Sequence, residues 1–104
     1  MSKDIATLQS QIRQFAENRD WDKFHTPKNL AMAVAGEAGE LLAEFQWLTP
    51  EESLQLKENQ KELVAMEIAD VAIYLLRLAD KVGIDLAEAV SKKISINKTR
   101  FPQN

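Results

Sequence analysis

Residues 64–82 read VAMEIADVAIYLLRLADKV, and this stretch decides the fold class. Apolar side chains recur along it at steps of three and four residues, which places them in one stripe of an α-helix. The members of that stripe are Val64, Ile68, Val71, Leu75, Leu78 and Val82. Met66, Ile73 and Leu76 lie on other faces, so the helix is apolar over most of its circumference. The stretch therefore predicts a central helix that is enclosed on all sides.

The chain on either side of this helix is also predicted to be helical, because glycine and proline are rare and strand-like alternation is absent. Capping signals stand at Thr26-Pro27, at Thr49-Pro50, at Asp85 and, for a helix end, at Gly83. The predicted helices cover about residues 4–18, 26–47, 60–81 and 85–100, with a loop over 19–26 and a short helix or turn after residue 49. These elements predict one all-α domain of four long helices over residues 1–104.

The composition excludes several classes of protein. Apolar residues make up 45% and charged residues 28% of the chain, which is typical of a soluble globular protein. The net charge of −3 gives no reason to expect a nucleic-acid partner. The absence of cysteine excludes disulfides and thiolate zinc sites. The N-terminus lacks a signal-peptide pattern and no apolar run is long enough to span a bilayer, so we expect a cytoplasmic protein without membrane contact.

Two acidic pairs lie at the core-facing edges of the second and third long helices. On a helical wheel of about 100° per residue, Glu37 falls in the middle of the apolar arc of the second helix and Glu40 on its margin. Glu67 and Asp70 lie beside the apolar stripe of the third helix. Residues with this spacing lie about 5–6 Å apart on one face. Burying an unpaired carboxylate costs free energy, so these side chains need a compensating partner.

Two such pairs that face each other would repel strongly unless cations lay between them. An all-oxygen ligand set suits magnesium, with manganese as a substitute, better than zinc or copper. Acidic pairs are also common on solvated helix faces, and the wheel alone leaves both interpretations open. A di-iron carboxylate bundle is excluded, because it requires Glu-x-x-His on its helices and the single histidine, His25, lies in a loop.

The ordered series of motifs resembles the MazG-like, all-α nucleotide pyrophosphohydrolases, most closely their small dCTP pyrophosphatase branch. The acidic signature stands as Glu37-Ala38-Gly39-Glu40 and Glu67-Ile68-Ala69-Asp70. Further matching motifs are Arg19-Asp20-Trp21, Phe24-His25-x-Pro27-x-Asn29-Leu30, Phe45-Gln46-Trp47, Ile73-Tyr74-Leu75 and Ile96-Asn97-x-x-Arg100. The resemblance implies a helical subunit that forms tight dimers, often paired into tetramers. It also implies hydrolysis of a nucleoside triphosphate, dCTP or a related deoxynucleotide, to the monophosphate and pyrophosphate.

The resemblance further implies roles for individual residues. The four carboxylates of the acidic signature, Glu37, Glu40, Glu67 and Asp70, match the magnesium ligands and would carry the catalysis. The positions that match or adjoin the nucleotide site are Trp21 at the base pocket, His25, Asn29, Trp47, Tyr74 and Asn97, with Lys93 and Arg100 as candidate phosphate contacts. In relatives a histidine on the first helix helps to build the base pocket, and Ile12 stands at that position here. The preferred base therefore stays open.

The chemistry of these residues is compatible with the implied reaction. Water would attack the α-phosphorus, oriented or deprotonated by one of the four carboxylates or by Glu44. Lys93, Asn97 and Arg100 share a face of the last helix, and the lysine and the arginine there would hold the β- and γ-phosphates. The alternative for that face is a solvated basic surface near a helix C-terminus. For His25 simple packing is the interpretation that the residues themselves favour.

The apolar circumference of the third helix predicts a homo-oligomer, either a dimer or a tetramer. Three other helices in 104 residues do not easily cover such a helix, and a second subunit would. The site would then take residues from both sides of the interface. A non-enzymatic helical interaction module is the alternative to the enzyme.

Overall fold

The computed structural model describes residues 3–103, and that part of the chain contains helices and turns but no strand. The helices are α1 (Ile5–Asn18), α2 (Pro27–Ala43), α3 (Pro50–Ser53), α4 (Glu58–Val82) and α5 (Leu86–Arg100), with a 3₁₀ turn over Asp22–Phe24. The all-α prediction is confirmed, and α1, α2, α4 and α5 are the four long helices expected. None of the helices within residues 3–103 is both long and apolar enough to cross a bilayer.

Side-chain caps fix the helix starts that the sequence predicts. Asp4, Thr26 and Asp85 each accept a hydrogen bond from the backbone N–H three residues further on. Thr49 and Glu52 form the predicted capping box, in which each side chain accepts the backbone N–H of the other. These bonds satisfy N–H groups that have no partner within their own helix.

The second helix ends at Ala43, four residues before the end predicted at about Trp47. The amides of Glu44 and Phe45 donate to carbonyls three residues back instead of four, which tightens the chain into turns. The backbone must also become extended at Thr49, where ψ is 161°, because the next residue is proline. The segment between α2 and α3 is thus a run of turns that ends in an extended residue.

The central helix, α4, starts at Glu58 and ends at a left-handed residue. It begins two residues before the predicted start at Gln60, whose side chain accepts the Lys57 amide at 2.9 Å and so caps the first turn. At the other end Gly83 has a φ of 72°, in the left-handed region that favours glycine. The predicted C-terminal cap is thereby confirmed.

The core of the subunit lies where α1 and α2 pack along α4. The buried apolar residues come from these three helices and are Ala16, Leu30, Val64, Leu76 and Ala79. α5 packs only marginally against the rest of the subunit, and its Val90 and Ile94 are about half exposed.

One side of α4 is left open. Ile68, Leu75 and Val82 belong to the predicted apolar stripe, yet they are 52%, 43% and 43% exposed. The whole subunit exposes 8,199 Å², about 2,300 Å² more than a compact monomer of this mass. Its radius of gyration is 16.4 Å, against about 13 Å for a compact domain of this length. A single subunit therefore does not supply the enclosure that the sequence of α4 predicts.

Polar contacts fasten α1 to α4. Arg13 donates two hydrogen bonds to the Asp80 carboxylate, at 2.8 and 2.7 Å. Gln9 donates from its side-chain amide to the Leu76 carbonyl at 3.1 Å. The hydrogen bond from Arg13 lowers the pKa of Asp80 below its ordinary value. α1 is thus held in place by charge as well as by apolar packing.

Candidate functional site

The two predicted acidic pairs converge between α2 and α4. Oxygen atoms of Glu37, Glu67 and Asp70 all lie within 4.8 Å of one another, close enough to ligate a single cation. Glu40, the fourth predicted member, is exposed and lies outside that group of three. Its proximity nevertheless raises the pKa of both Glu37 and Glu67.

The electrostatics of this acidic cluster disfavour its charged form. Burial raises the pKa of Glu37, and the hydrogen bond and charge of Glu40 raise it further, followed by the charges of Asp70 and Glu67. Burial also raises the pKa of Glu67, with further increases from Glu40, Asp70 and Glu44. Desolvation and neighbouring like charges both favour the protonated carboxylic acid.

Two buried oxygen atoms support a cation at this position. Oε2 of Glu37 and Oε2 of Glu67 are buried, and neither has a hydrogen-bond partner within residues 3–103. Buried polar atoms are nearly always paired, so two orphaned carboxylate oxygens on facing helices require an explanation. A hard divalent cation provides one, since its ligands are carboxylate oxygens. The residues present therefore fit magnesium or manganese.

A cavity of about 180 Å³ adjoins the acidic cluster. It is lined by Ile12, Phe15, Ala16, Trp21, His25, Asp70, Ile73, Tyr74 and Arg77. Trp21 meets the Phe15 ring edge-on, with centroids 5.6 Å apart, and His25 is tilted against Trp21 at 6.4 Å. The volume is below the roughly 300–1,000 Å³ of pockets for drug-sized ligands, so the cavity suits a single ring system. Asp70 belongs to both the cluster and the cavity and links them.

A buried arginine at one side of this cavity was missed by the sequence analysis. The Arg77 side chain is only 3% exposed, and its Nη2 donates to Asp22 at 2.7 Å and its Nη1 to Asp80 at 3.4 Å. Its Nε donates to Nδ1 of His25 at 3.2 Å. Lys81 also donates to Asp22, at 2.9 Å. The signal available in the sequence was a single arginine in the most apolar stretch of the chain.

The predicted nucleotide contacts outside α5 differ in where the structure places them. Trp21, His25 and Tyr74 lie together around the cavity. Asn29 donates its side-chain N–H to the Phe24 carbonyl at 3.0 Å, which fixes the turn before α2. Trp47 is 85% exposed in the turn after α2 and does not line the cavity.

The predicted phosphate contacts lie on α5, which packs only marginally against the other helices. Lys93 and Arg100 are exposed, and the Arg100 guanidinium lies 5.1 Å from the centre of the Phe101 ring. Asn97 is half-buried, and its carbonyl accepts the Phe101 amide at 2.8 Å. α5 does not pack extensively on α2 or α4.

The chain is similar to known proteins of the MazG-like family. The model of the MazG-like family matches residues 33–104. Over 102 residues the chain is 42% identical to dCTP pyrophosphatase 1 from Homo sapiens and 41% identical to the protein of that name from Rattus norvegicus. Each match covers 96% of this chain and 58% of the mammalian protein, so the chain spans less than two thirds of those relatives.

A solved structure resembles the whole chain. It is a crystal structure of a pyrophosphatase from Archaeoglobus fulgidus DSM 4304, which is 40% identical in sequence and superposes with a TM-score of 0.90. The match covers 99% of this chain and 96% of the archaeal one. The similarity therefore extends to α1 and α5 as well as to the helices that carry the acidic cluster.

Proposed function

This chain belongs to the MazG-like family, and on that premise we propose that it hydrolyses a (deoxy)nucleoside triphosphate to the monophosphate and pyrophosphate with magnesium. The observation that carries the proposal is the convergence of Glu37, Glu67 and Asp70 within 4.8 Å, with two buried oxygens unpaired. The relatives named dCTP pyrophosphatase 1 support dCTP or a related deoxynucleotide as the substrate.

In this proposal Glu37, Glu40, Glu67 and Asp70 hold the divalent cation, with manganese as a substitute for magnesium. A cation there supplies charge neutralisation for the triphosphate and polarises its α-phosphate. The protein contributes position and charge, because phosphoryl chemistry needs little covalent participation from side chains. One of these carboxylates, or Glu44, accepts the proton of the attacking water. Glu44 is included because its charge raises the pKa of Glu67.

We place the base of the nucleotide in the cavity beside Asp70. Trp21 and Tyr74 offer aromatic surfaces there, and stacking on such a ring stabilises a base by about 1–3 kcal/mol. Ile12 lines the same cavity, so no histidine from α1 reaches the base. Asn29 serves the site indirectly in this arrangement, by holding the turn between the cavity and α2.

Phosphate binding in this proposal requires a second subunit. Lys93, Asn97 and Arg100 lie on α5, whose exposed apolar residues have almost no packing partner within one copy of the chain. A homodimer, or a dimer of dimers, would cover α4 and α5 and bring the basic face of one subunit to the carboxylates of the other. The excess exposed area is in the range that obligate dimers bury, which is about 2,000 Å² or more. Trp47 would reach the nucleotide from such an interface.

The test of the activity is pyrophosphate release from a panel of nucleoside triphosphates, with magnesium and with a chelator. We expect turnover of dCTP or a close relative only when magnesium is present. If no triphosphate is turned over under any divalent cation, the enzyme proposal fails and the helical interaction module is the better interpretation. The cytoplasmic location and the single domain over residues 1–104 stay predictions.

Subunit mixing tests the shared site. Glu67→Gln removes a carboxylate from one subunit, and Arg100→Ala removes a phosphate contact from the other. If the site is shared, a mixed dimer contains one intact site, so randomly reassorted dimers of the two inactive variants regain about one quarter of the wild-type rate. Sites built within single subunits would regain nothing. Each variant alone serves as the control.

A further inference from the structure

Arg77 is the only charged side chain that is buried within residues 3–103, and it contacts a ring that lines the proposed base pocket. Its residue exposure is 2%, and its Nε lies 3.2 Å from Nδ1 of His25. Buried arginines need several partners to offset their desolvation. Arg77 has two carboxylates for this purpose, those of Asp22 and Asp80. The contact to His25 is additional to that charge compensation.

The direction of the Arg77–His25 hydrogen bond is fixed by chemistry. A guanidinium group has only donors and stays protonated in proteins, so Nδ1 of His25 must accept. A histidine nitrogen that accepts carries no proton, and the ring proton of neutral His25 therefore sits on Nε2. Nε2 has no hydrogen-bond partner within residues 3–103 and is not among the buried unpaired atoms. It is therefore free to donate to a molecule in the cavity that His25 lines.

We propose that Arg77 is a positioning residue that locks His25 in the neutral Nε2–H tautomer, so that the ring donates a hydrogen bond to an acceptor atom of the bound base. The proposal rests on the proposed function, which places the base in this cavity. A donating Nε2–H selects a heterocyclic base with a carbonyl oxygen or an unprotonated ring nitrogen at the edge that faces His25. Cytosine presents both of these acceptors side by side.

The charges around His25 keep the ring neutral. Burial lowers the pKa of His25, the charge of Arg77 lowers it further, and Lys81 adds a smaller decrease. Asp22 acts in the opposite direction, but its carboxylate is shared between Arg77 and Lys81. A protonated ring would also lose its only acceptor and place a donor against the Arg77 N–H. Neutral His25 is thus favoured by charge and by hydrogen bonding alike.

The experiment uses the fact that the chain contains a single histidine. Wild-type protein labelled with ¹⁵N-histidine gives a ring spectrum that belongs to His25 alone, and long-range ¹H–¹⁵N correlations report which nitrogen carries the proton. We expect the proton on Nε2 near neutral pH and a change in the Nε2–H resonance when a non-hydrolysable dCTP analogue binds. A proton on Nδ1, or binding of the analogue without a response of Nε2–H, would overturn the proposal.

A variant of Arg77 distinguishes a role in orienting His25 from a purely structural role. Arg77→Met keeps an apolar stem and removes the donor, so we expect a mixture of tautomers and a KM for dCTP that rises about five- to tenfold with little change in kcat. Arg13→Met is the matched control, because Arg13 also donates to Asp80, including the Oδ2 atom that Arg77 contacts, but does not touch His25. It should leave the tautomer unchanged, and a tautomer that stays locked in Arg77→Met contradicts the proposal.

The proposed activity and the tautomer of His25 can be tested separately. If Arg77→Met does not fold, the wild-type spectra with and without the analogue decide the question on their own. A wild-type protein that turns over no triphosphate contradicts the proposed function. The tautomer measurement needs no turnover, so it still decides whether Arg77 locks the ring.

Discussion

Glu37 on α2 and Glu67 on α4 face each other with one carboxylate oxygen each buried and without a hydrogen-bond partner in residues 3–103. Their ligating oxygens lie within 4.8 Å. A pair of this kind raises the free energy of the folded protein when both groups are charged, unless a cation lies between them. In the proposed function the same pair is a metal site, and without the metal it is a destabilising element, so the two roles can be measured separately.

Replacing either glutamate by glutamine should separate activity from stability. We expect Glu37→Gln and Glu67→Gln to lower kcat/KM about a hundredfold or more, because each removes a proposed cation ligand. Without magnesium both variants should melt at the same temperature as the wild type or higher, since a buried charge has been removed. Pyrophosphate release and thermal melting measure the two effects.

Glu62→Gln is the matched control for this pair of variants. Glu62 also lies on α4, but it is exposed and outside the cluster. It should retain wild-type activity and magnesium dependence. Full activity in Glu37→Gln would contradict the role of the cluster in catalysis.

Stability should depend on pH in opposite directions with and without magnesium. The pKa values of Glu37 and Glu67 are raised, so the folded state binds their protons more tightly than the unfolded state does. Their contribution to stability is fully present below the unfolded pKa and is lost as the pH rises through the folded pKa. A cation replaces those protons, so the rise in melting temperature caused by magnesium should grow from about pH 5 to about pH 7.5. A magnesium effect that is equal at both pH values would contradict this linkage.

Much of this fold could be predicted from local signals in the sequence. The caps at Asp4, Thr26, Thr49 and Asp85 depend on one side chain and the backbone three residues further on, so residue types are sufficient to place them. The helical period also placed the acidic pairs at the core-facing edges of their helices, although it left open whether they face each other or solvent. Trp47 shows the limit, because the helical pattern predicts that α2 reaches it, whereas the hydrogen bonds already shift to three residues back at Glu44 and Phe45.

What the sequence could not supply were contacts between distant segments. Arg77 interrupts an apolar stretch, but nothing local indicates that Asp22 and His25, more than fifty residues away, supply its partners. Similarly, the wheel places Ile68, Leu75 and Val82 in one stripe with Val64, yet only Val64 is buried in the subunit. A periodic pattern identifies an apolar face without saying whether the same subunit covers it.

Activity should be lost together with assembly. Ile94 on α5 is 51% exposed, and Ile94→Glu would place a charge in the surface that the proposed partner subunit covers. We expect this variant to sediment as a monomer and to lack turnover, because the phosphate contacts on α5 would no longer reach the carboxylates of another subunit.

Ser10→Glu is the control for Ile94→Glu, since it adds the same charge at an exposed polar position of α1. Sedimentation and activity measured over a dilution series complete the test. A wild-type monomer that remains fully active on dilution would rule out a shared site.

The end of α4 should be sensitive to the residue at position 83. Gly83 has a φ of 72°, where a side chain is strained even though a Cβ would meet no atom within 4 Å. Gly83→Ala should therefore destabilise the protein by about 1 kcal/mol. Gly83→Asn should lose less, because asparagine tolerates this conformation. Denaturant unfolding measures both, and equal losses would indicate a cause other than backbone strain.

The attachment of α1 has a consequence for the order in which the protein folds. The Arg13–Asp80 pair joins residues 67 positions apart, whereas α2 and α4 are separated only by the short segment that contains α3. Because distant contacts form later than near ones, we expect α2 and α4 to pair first and α1 to dock last, which pulsed hydrogen exchange would detect as late protection of α1. Ile12, Phe15 and Ala16 form one wall of the cavity. A newly made chain would thus be able to capture a cation before it could accommodate a nucleobase.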